Sequence, residues 1–297
     1  MPKRKLVCFG WALNNLLHKK ENFEILEGFL SELLKEDLHI QNVLKSDDNG
    51  EIRRFFNHLT LCVKNEQGET IIIRVHCDTQ YDYLHKIFRA GSGRLIEDPS
   101  DEISCPESKK AVSVNILMYF DPEEGSDYMY RRDTTAFIGT HNRDLLHLPE
   151  DELRLYRQED IHSSLPECYL LKTESFDDII KDPLDEWIFF LKNREIRDDF
   201  SAKGIKKAKQ ELDIMKLSHE ERRAYARYQD DLHYQASMVE STWEIGILKG
   251  KEKAKKEKKT IAASLLQSGL LDIEKIAEMT GLTPEEVEGL KGDQFDT

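Results

Sequence analysis

The segment 55–77 constrains the fold of this chain more than any other part of the sequence. Residues 55–64 alternate between apolar and polar positions, and residues 69–77 contain the run Ile71-Ile72-Ile73; Asn65-Glu66-Gln67-Gly68 separates the two. Alternation with a period of two is typical of a strand with one buried face, and Asn and Gly are favoured in tight turns. The segment therefore predicts a β-hairpin, on which a larger sheet can be built.

Helices and strands alternate on both sides of this hairpin. Residues 22–36 repeat apolar positions at helical spacing and predict an amphipathic helix. Residues 39–44 predict a short strand, residues 79–97 a second helix, and residues 111–120 a buried strand that stops at Asp121-Pro122. The order helix, strand, hairpin, helix, strand indicates an α/β (α+β) fold in which helices cover a sheet.

The middle of the chain has a mixed pattern. Residues 127–135 and 169–173 are strand candidates. The charged groups Arg131-Arg132-Asp133 and His141-Asn142-Arg143-Asp144 are interpreted as loop charges.

From Phe176 onward the pattern is mostly helical. Pro183 is suited to the first turn of a helix, and Ser218 with Glu221 has the spacing of a capping box. The residues expected to anchor this region to the core are Trp187, Phe189, Phe190 and Leu191.

The C-terminal part begins with a basic run. Residues 249–259 hold seven Lys and two Glu, a local charge of +5, and predict an exposed helix or linker. Residues 260–291 predict a small two-helix unit, in which Gly281 ends one helix and Thr283-Pro284 begins the next. The unit has the outline of a helix-turn-helix, but its second helix is acidic, which is unfavourable in a major groove.

The composition limits the classes of protein. The five cysteines show no CxxC pair, so neither a disulfide framework nor a zinc knuckle is expected, and free thiols are typical of the cytoplasm. No run of 18 apolar residues is present, so no membrane span is expected. A net charge of −14 disfavours nonspecific DNA binding by the chain as a whole, which leaves the run 249–259 as the candidate surface.

Six stretches, taken in order, resemble the recombination-promoting nuclease/transposase group of the PD-(D/E)XK nuclease superfamily. They are spread over residues 21–290, cover 130 of the 297 residues, and read ENFEILEGFLSELL, FNHLTLCVKNEQGETIIIRVHCDTQYDYLHKI, KDPLDEWIFFLKN, REIRDDFSAKGIKKAKQELDIMKLSHEERRAYARY, LHYQASMVES and LLQSGLLDIEKIAEMTGLTPEEVEGL.

The resemblance implies a restriction-endonuclease-like αβββαβ core with a mostly helical C-terminal region. On this basis residues 1–175 form the nuclease-like domain and residues 176–248 a helical region packed on it. Residues 249–259 are a Lys-rich linker, and residues 260–297 a small helical tail.

The chemistry of that family is phosphodiester hydrolysis with Mg²⁺. An Asp on one strand and the Glu of a Glu-X-Lys or Glu-X-Gln motif on the next strand hold the metal, because hard oxygen ligands suit it. In this chain Thr60 stands at the Asp position, Arg74 at the Glu position and His76 at the Lys or Gln position. Gly10 stands where the family often has an N-terminal acid. The resemblance therefore implies a degenerate member with no metal ligands at these positions.

Other residues could replace the lost ligands. Asp78 lies two residues after His76 on the same strand face, and Asp82 lies on the next predicted helix. Together with His76, these two carboxylates are the candidates for a relocated site. The candidates for DNA contact are Lys251, Lys253, Lys255 and Lys256.

Three functions remain open from the sequence. The first is an inactive nuclease-fold protein in the cytoplasm that keeps DNA or protein binding, without a cofactor. The second is an active endonuclease that promotes recombination with relocated ligands and Mg²⁺. The third is a protein-interaction module that self-associates or binds a partner through the C-terminal helices.

Overall fold

A computed structural model describes residues 6–44, 57–78, 105, 110–118, 125–133, 136–146, 167–269 and 271–292. The chain divides into two compact units, Met1–Gln229 and Asp230–Thr297. The division falls inside the predicted helical region 176–248. In the described part of the chain, no helix combines the length and apolar character needed to cross a membrane.

An eight-stranded mixed sheet organises the first unit. The strand order is β1-β2-β3-β4-β8-β5-β6-β7. Strands β1 to β3 are antiparallel, β4 is parallel to β3, and β8 is parallel to β4, while β5, β6 and β7 complete the sheet as antiparallel strands. The strands are β1 Leu38–Leu44, β2 Asn57–Asn65, β3 Thr70–Asp78, β4 Lys110–Leu117, β5 Met129–Asp133, β6 Ala136–Gly139, β7 Leu145–Leu146 and β8 Glu167–Lys172.

The predicted hairpin is confirmed, since β2 and β3 pair along their whole length from Asn57↔Cys77 to Lys64↔Thr70. Its turn is closed by Asn65, whose side-chain Oδ1 accepts a hydrogen bond from the backbone N–H of Glu69 at 2.9 Å. Gly68 has φ +78°, a left-handed conformation that glycine adopts without strain. The turn residues therefore have the conformational roles that the sequence predicts for them.

The two faces of the sheet differ in chemistry. On the first face the alternate residues of β2 and β3 are apolar and buried, among them Leu61, Val63, Ile73 and Val75. They belong to the main core together with side chains from the N-terminal segment and the helices. The opposite side, called the second face here, carries the residues between them.

Four helices of the first unit are α1 Phe9–Ala12, α2 Phe23–Leu34, α3 Pro183–Asn193 and α4 Ile205–Glu211. The helix predicted over 22–36 corresponds to α2. In α3, Pro183 occupies the first turn and Asp182 forms a capping box with Asp185, which satisfies N–H groups that have no helical partner. The four predicted anchors of α3 are buried, and Trp187 packs on Phe29 of α2 with ring centroids 5.7 Å apart.

Four further strand predictions agree with the structure: those over 39–44, 111–120, 127–135 and 169–173 correspond to β1, β4, β5 and β8. The helix predicted over 79–97 lies outside the described residues. The interpretation of Arg131-Arg132-Asp133 as loop charges is wrong, because all three belong to β5.

The expectation about cysteines is also corrected. Cys62 forms a disulfide with Cys105, 43 residues away, whereas Cys8, Cys77 and Cys168 are free and buried. Sequence spacing gave no sign of the pair because it depends on contact between distant segments.

The second unit contains most of a long helix and two short ones. Helix α5 runs over His219–Ser268, and its start has the predicted capping box, in which Ser218 and Glu221 exchange hydrogen bonds of 2.9 and 3.2 Å. The predicted Lys-rich linker is helical and continuous with α5. The end of α5 packs with α6 Ile273–Thr280 and α7 Pro284–Gly292 around a small core that includes Ala262, Ile276 and Val287.

Substitution of Gly28 tests the packing of α2 in the first unit. A Cβ at this position would lie 2.1 Å from the backbone oxygen of Lys203, so Gly28→Ala should lower the free energy of unfolding by about 1–3 kcal/mol. Gly250→Ala is the control, because Gly250 lies on α5 with no atom near its Cβ position. Urea unfolding followed by tryptophan fluorescence should show a lower midpoint for Gly28→Ala only; equal midpoints would contradict the close contact.

Candidate functional site

The register of β2, β3 and β4 brings together the three positions at which the resemblance expects a metal-binding motif. Thr60 of β2 pairs directly with Arg74 of β3, and His58 pairs with His76. Directly paired residues point to the same side of a sheet, and so do residues two apart on one strand. Thr60, Arg74 and His76 therefore share the second face, together with His58.

Strand β4 extends this patch. Ser113 lies beside Arg74 and Asn115 lies beside His76 in the parallel ladder. Cys168 of β8 lies beside Ser113. The name polar patch is used below for this set: His58, Thr60, Arg74, His76, Ser113, Asn115 and Cys168.

Much of the polar patch is withdrawn from water. Thr60 is 7% exposed, Ser113 4% and Asn115 2%. A buried polar side chain is costly without a hydrogen bond. The Asn115 amide meets this need by donating to the Tyr169 carbonyl at 3.0 Å and to Ser113 Oγ at 3.2 Å. Asn115 thus connects β4 to β8 through its side chain as well as through the strand ladder.

Two stacked histidines lie on β2 and β3. The rings of His58 and His76 have centroids 5.6 Å apart and planes inclined by 23°. Burial, followed by the charges of His58 and Arg74, lowers the pKa of His76 from 6.5 to about 3. His76 is therefore a neutral imidazole at physiological pH.

The chemistry of the polar patch differs from that of a cation site. It combines the guanidinium of Arg74 with neutral hydroxyl, amide and imidazole groups, and its seven members include no carboxylate. Among the residues that the structure describes, no group of three or more His, Cys, Asp or Glu side chains is placed to hold a metal ion. A positive centre with hydrogen-bond donors is suited to an anion rather than to Mg²⁺.

No family model, curated protein or solved structure matches this chain. The interpretation of the site therefore rests on its own geometry and chemistry.

The other predicted site residues are Gly10, Asp78 and Asp82, and none of them is a member of the polar patch. Gly10 is buried in α1, whose neighbours Phe9 and Trp11 belong to the main core under the first face. The structure therefore does not bring Gly10 to the polar patch. Asp78 ends β3 and pairs with Leu117 of β4, whereas Asp82 lies outside the described residues.

The four lysines predicted to contact DNA lie in the second unit. They are all exposed on α5: Lys251, Lys253, Lys255 and Lys256.

A chain of hydrogen bonds that the sequence did not predict lies at the ends of β5 and β6. Asp127, whose side chain is 1% exposed, lies 2.9 Å from Nδ1 of His141, and Nε2 of His141 lies 3.0 Å from the Tyr128 hydroxyl. That hydroxyl donates to the carboxylate of Asp185, in the first turn of α3. His141 was assigned to a group of loop charges, and no local signal connects Tyr128 with Asp185, since 57 residues separate them.

The pKa shifts of Asp127 and Tyr128 favour a structural role for this chain of hydrogen bonds. Burial would raise the pKa of Asp127, but hydrogen bonds from His141 and from the backbone N–H groups of Met129 and Asn142 outweigh it and lower the pKa. Burial, with the Asp185 carboxylate, raises the pKa of Tyr128 far above its usual range. Tyr128 therefore keeps its proton, and a role as nucleophile is disfavoured. This chain of hydrogen bonds connects the ends of β5 and β6 to α3.

The disulfide lies on the second face, beyond the polar patch. Cys62 is two residues after Thr60 on β2, and it packs with Leu44, Ile72 and Cys105 in a small apolar cluster. One end of the second face is thus apolar and covalently tied to Cys105, while the centre is polar.

The lowered pKa of His76 predicts a pH-dependent stability. In the unfolded chain the ring takes up a proton below pH 6.5, but in the folded protein only near pH 3, so stability decreases as the pH falls through this window. His76→Gln should reduce the stability difference between pH 7 and pH 5 by about 1–2 kcal/mol.

The control is His39→Gln, which alters an exposed histidine on β1. Urea unfolding of both variants at the two pH values measures the effect. If the unmodified protein and His76→Gln had the same pH dependence, the buried neutral state of His76 would be refuted.

Proposed function

We propose that this protein is a nuclease-fold protein similar to the recombination-promoting nuclease/transposase group, that it no longer cleaves DNA, and that it keeps contact with DNA. The observation that carries the proposal is the direct pairing of Thr60 with Arg74. These are the two positions at which the resemblance expects the metal-binding carboxylates.

The topology of the sheet supports the proposal. Helix α2 precedes three antiparallel strands, β1 to β3, and β4 then joins β3 in parallel. A parallel neighbour requires a crossover connection between β3 and β4, and the αβββαβ core has a helix in that place. Of the connecting residues 79–109, Cys105 alone lies in the described part of the chain, so the helix remains part of the proposal.

The electrostatics of the patch support the loss of metal chemistry. Replacing Asp by Thr removes one negative charge, and replacing Glu by Arg reverses another. A pair of unit charges 4 Å apart is worth about 4 kcal/mol at an effective dielectric constant near 20. Facing a divalent cation, the combined change is on the order of 10 kcal/mol before screening. Mg²⁺ should therefore not bind between β2 and β3.

An active nuclease is the second candidate. It is favoured by the position of Asp78, a carboxylate at the end of β3 and two residues after His76. A metal held there would lack a carboxylate from β2, because Thr60 stands at the Asp position of the family motif and pairs with Arg74, four residues before Asp78. A module that binds only protein is the third candidate.

The cytoplasm is the proposed compartment. Three of the five cysteines are free thiols, which suits a reducing environment. The Cys62–Cys105 pair is the feature that an oxidising environment would favour.

Metal-dependent nicking of supercoiled plasmid tests the lost activity. The unmodified protein should give no cleavage above background with Mg²⁺ or Mn²⁺, and isothermal titration should detect no Mn²⁺ binding. The variant Thr60→Asp/Arg74→Glu/His76→Gln should gain Mn²⁺ affinity, because two carboxylates then face each other across paired strands. The same three changes made singly are the controls, and each should bind more weakly than the triple variant.

The opposite outcome identifies the second candidate. Tight Mn²⁺ binding and cleavage by the unmodified protein, both abolished by Asp78→Ala, would replace the proposal with an active nuclease that uses relocated ligands. Mobility shift of duplex DNA at low salt separates the proposal from the module that binds only protein.

A further inference from the structure

The basic run on α5 is not one uniform surface. An α-helix turns 100° per residue, so side chains at positions i, i+4 and i+7 lie on one side. Two sets of three lysines have this spacing. The inner stripe is Lys251, Lys255 and Lys258, and the outer stripe is Lys249, Lys253 and Lys256.

The inner stripe is on the side of α5 that packs with the short helices. Ala262, four residues after Lys258, continues the stripe and is fully buried in the core with α6 and α7. Lys255 Nζ lies 2.7 Å from Glu286 Oε1, in the first turn of α7. The Lys258 Nζ would lie 3.2 Å from a Cβ at Gly281, the residue that caps the C-terminus of α6.

These contacts give Lys255 and Lys258 of the inner stripe an internal role. The hydrogen bond from Lys255 lowers the pKa of Glu286, together with a backbone hydrogen bond from Thr283 and the charge of Lys259. The C-terminal end of a helix carries a partial negative charge, so the ammonium of Lys258 is favourably placed beside the end of α6. Part of the positive charge of the run is therefore neutralised within the second unit.

The outer stripe points to the opposite side of α5. The Lys253 side chain is 81% exposed, and it lies 3.9 Å from Glu257 in an exposed ion pair that contributes little. Lys249 and Lys256 are exposed as well, and Thr260 continues the stripe without an apolar side chain.

We infer that the outer stripe, Lys249, Lys253 and Lys256, is the surface that contacts the phosphate backbone of duplex DNA, while the inner stripe holds α6 and α7. This inference rests on the proposed function, which includes DNA contact. The outer stripe spans about 10 Å along the axis of α5. Each strand of duplex DNA carries one phosphate for every ~3.4 Å of the duplex axis, so about three phosphates lie within the length of the three lysines. A membrane surface fits less well, because an interfacial helix needs an apolar face and the outer stripe has none.

Two triple variants with the same change in charge test the inference. One is Lys249→Gln/Lys253→Gln/Lys256→Gln, and the other is Lys251→Gln/Lys255→Gln/Lys258→Gln. Each removes three positive charges from the same helix, and Lys and Gln have similar helix propensities. Any difference in DNA affinity between the two variants is therefore due to which stripe is changed and not to the change in net charge.

The measurement is the affinity of the full chain for a 30-base-pair duplex, by fluorescence anisotropy over a series of salt concentrations. Each neutralised phosphate contributes about 0.9 to the slope of log K against log salt. The outer triple variant should reduce the slope by about 2–3, whereas the inner variant should keep the wild-type slope and instead lower the thermal midpoint of the second unit. Circular dichroism checks that both variants remain helical.

Each other result overturns the inference in a distinct way. Equal loss of slope in both variants would leave DNA contact standing but refute the division into two stripes. An unchanged slope in both would place the DNA contact elsewhere on the protein. No binding of DNA by the unmodified chain would refute both the inference and the DNA-contact part of the proposed function, while the cleavage and Mn²⁺ results would still decide the remainder. Binding to vesicles of phosphatidylserine and phosphatidylcholine, but not to DNA, would replace DNA by an anionic membrane.

Discussion

The register between β2 and β3 is the constraint on which the rest of the first unit depends. Side chains alternate along a strand, so a slip of one residue would turn Leu61 and Val63 away from the main core. Burial of these side chains selects the observed register. The same register then places Thr60 opposite Arg74 on the second face. The position of the polar patch thus follows from how the apolar core is packed.

The side chains of the polar patch determine which ligands the second face can bind. Arg74 provides positive charge, and burial holds His76 neutral. The Asn115 amide donates hydrogen bonds to Ser113 and to the Tyr169 carbonyl on the neighbouring strand. The site therefore favours an anion, on strands whose opposite sides build the main core. Fold and activity are separable in this way because the core residues and the site residues occupy opposite faces of the same strands.

In the second unit, the two sides of helix α5 likewise have different roles. One side of α5 is used for internal packing and internal charge neutralisation, through Ala262 and Lys255. The other side presents lysines to solvent. A sequence with a net charge of −14 can therefore still offer a locally basic surface, because Glu286 of α7 pairs with Lys255 of the inner stripe.

The sequence by itself determined the elements whose cause is local. The hairpin, its Asn65–Gly68 turn, the capping boxes of α3 and α5 and the amphipathic α2 all depend on residues within a few positions of one another, where propensity and periodicity act directly.

Only the tertiary structure decided the features that join distant segments. They include the insertion of β8 between β4 and β5, the Cys62–Cys105 disulfide, the connection of Asp127 to Asp185 through His141 and Tyr128, and the pairing of Lys255 with Glu286. No pattern of neighbouring residues encodes these contacts, because each depends on how whole elements pack. The alternation in β2 and β3 predicted which residues could share a face, but the packing of the helices decided which of the two faces joins the main core.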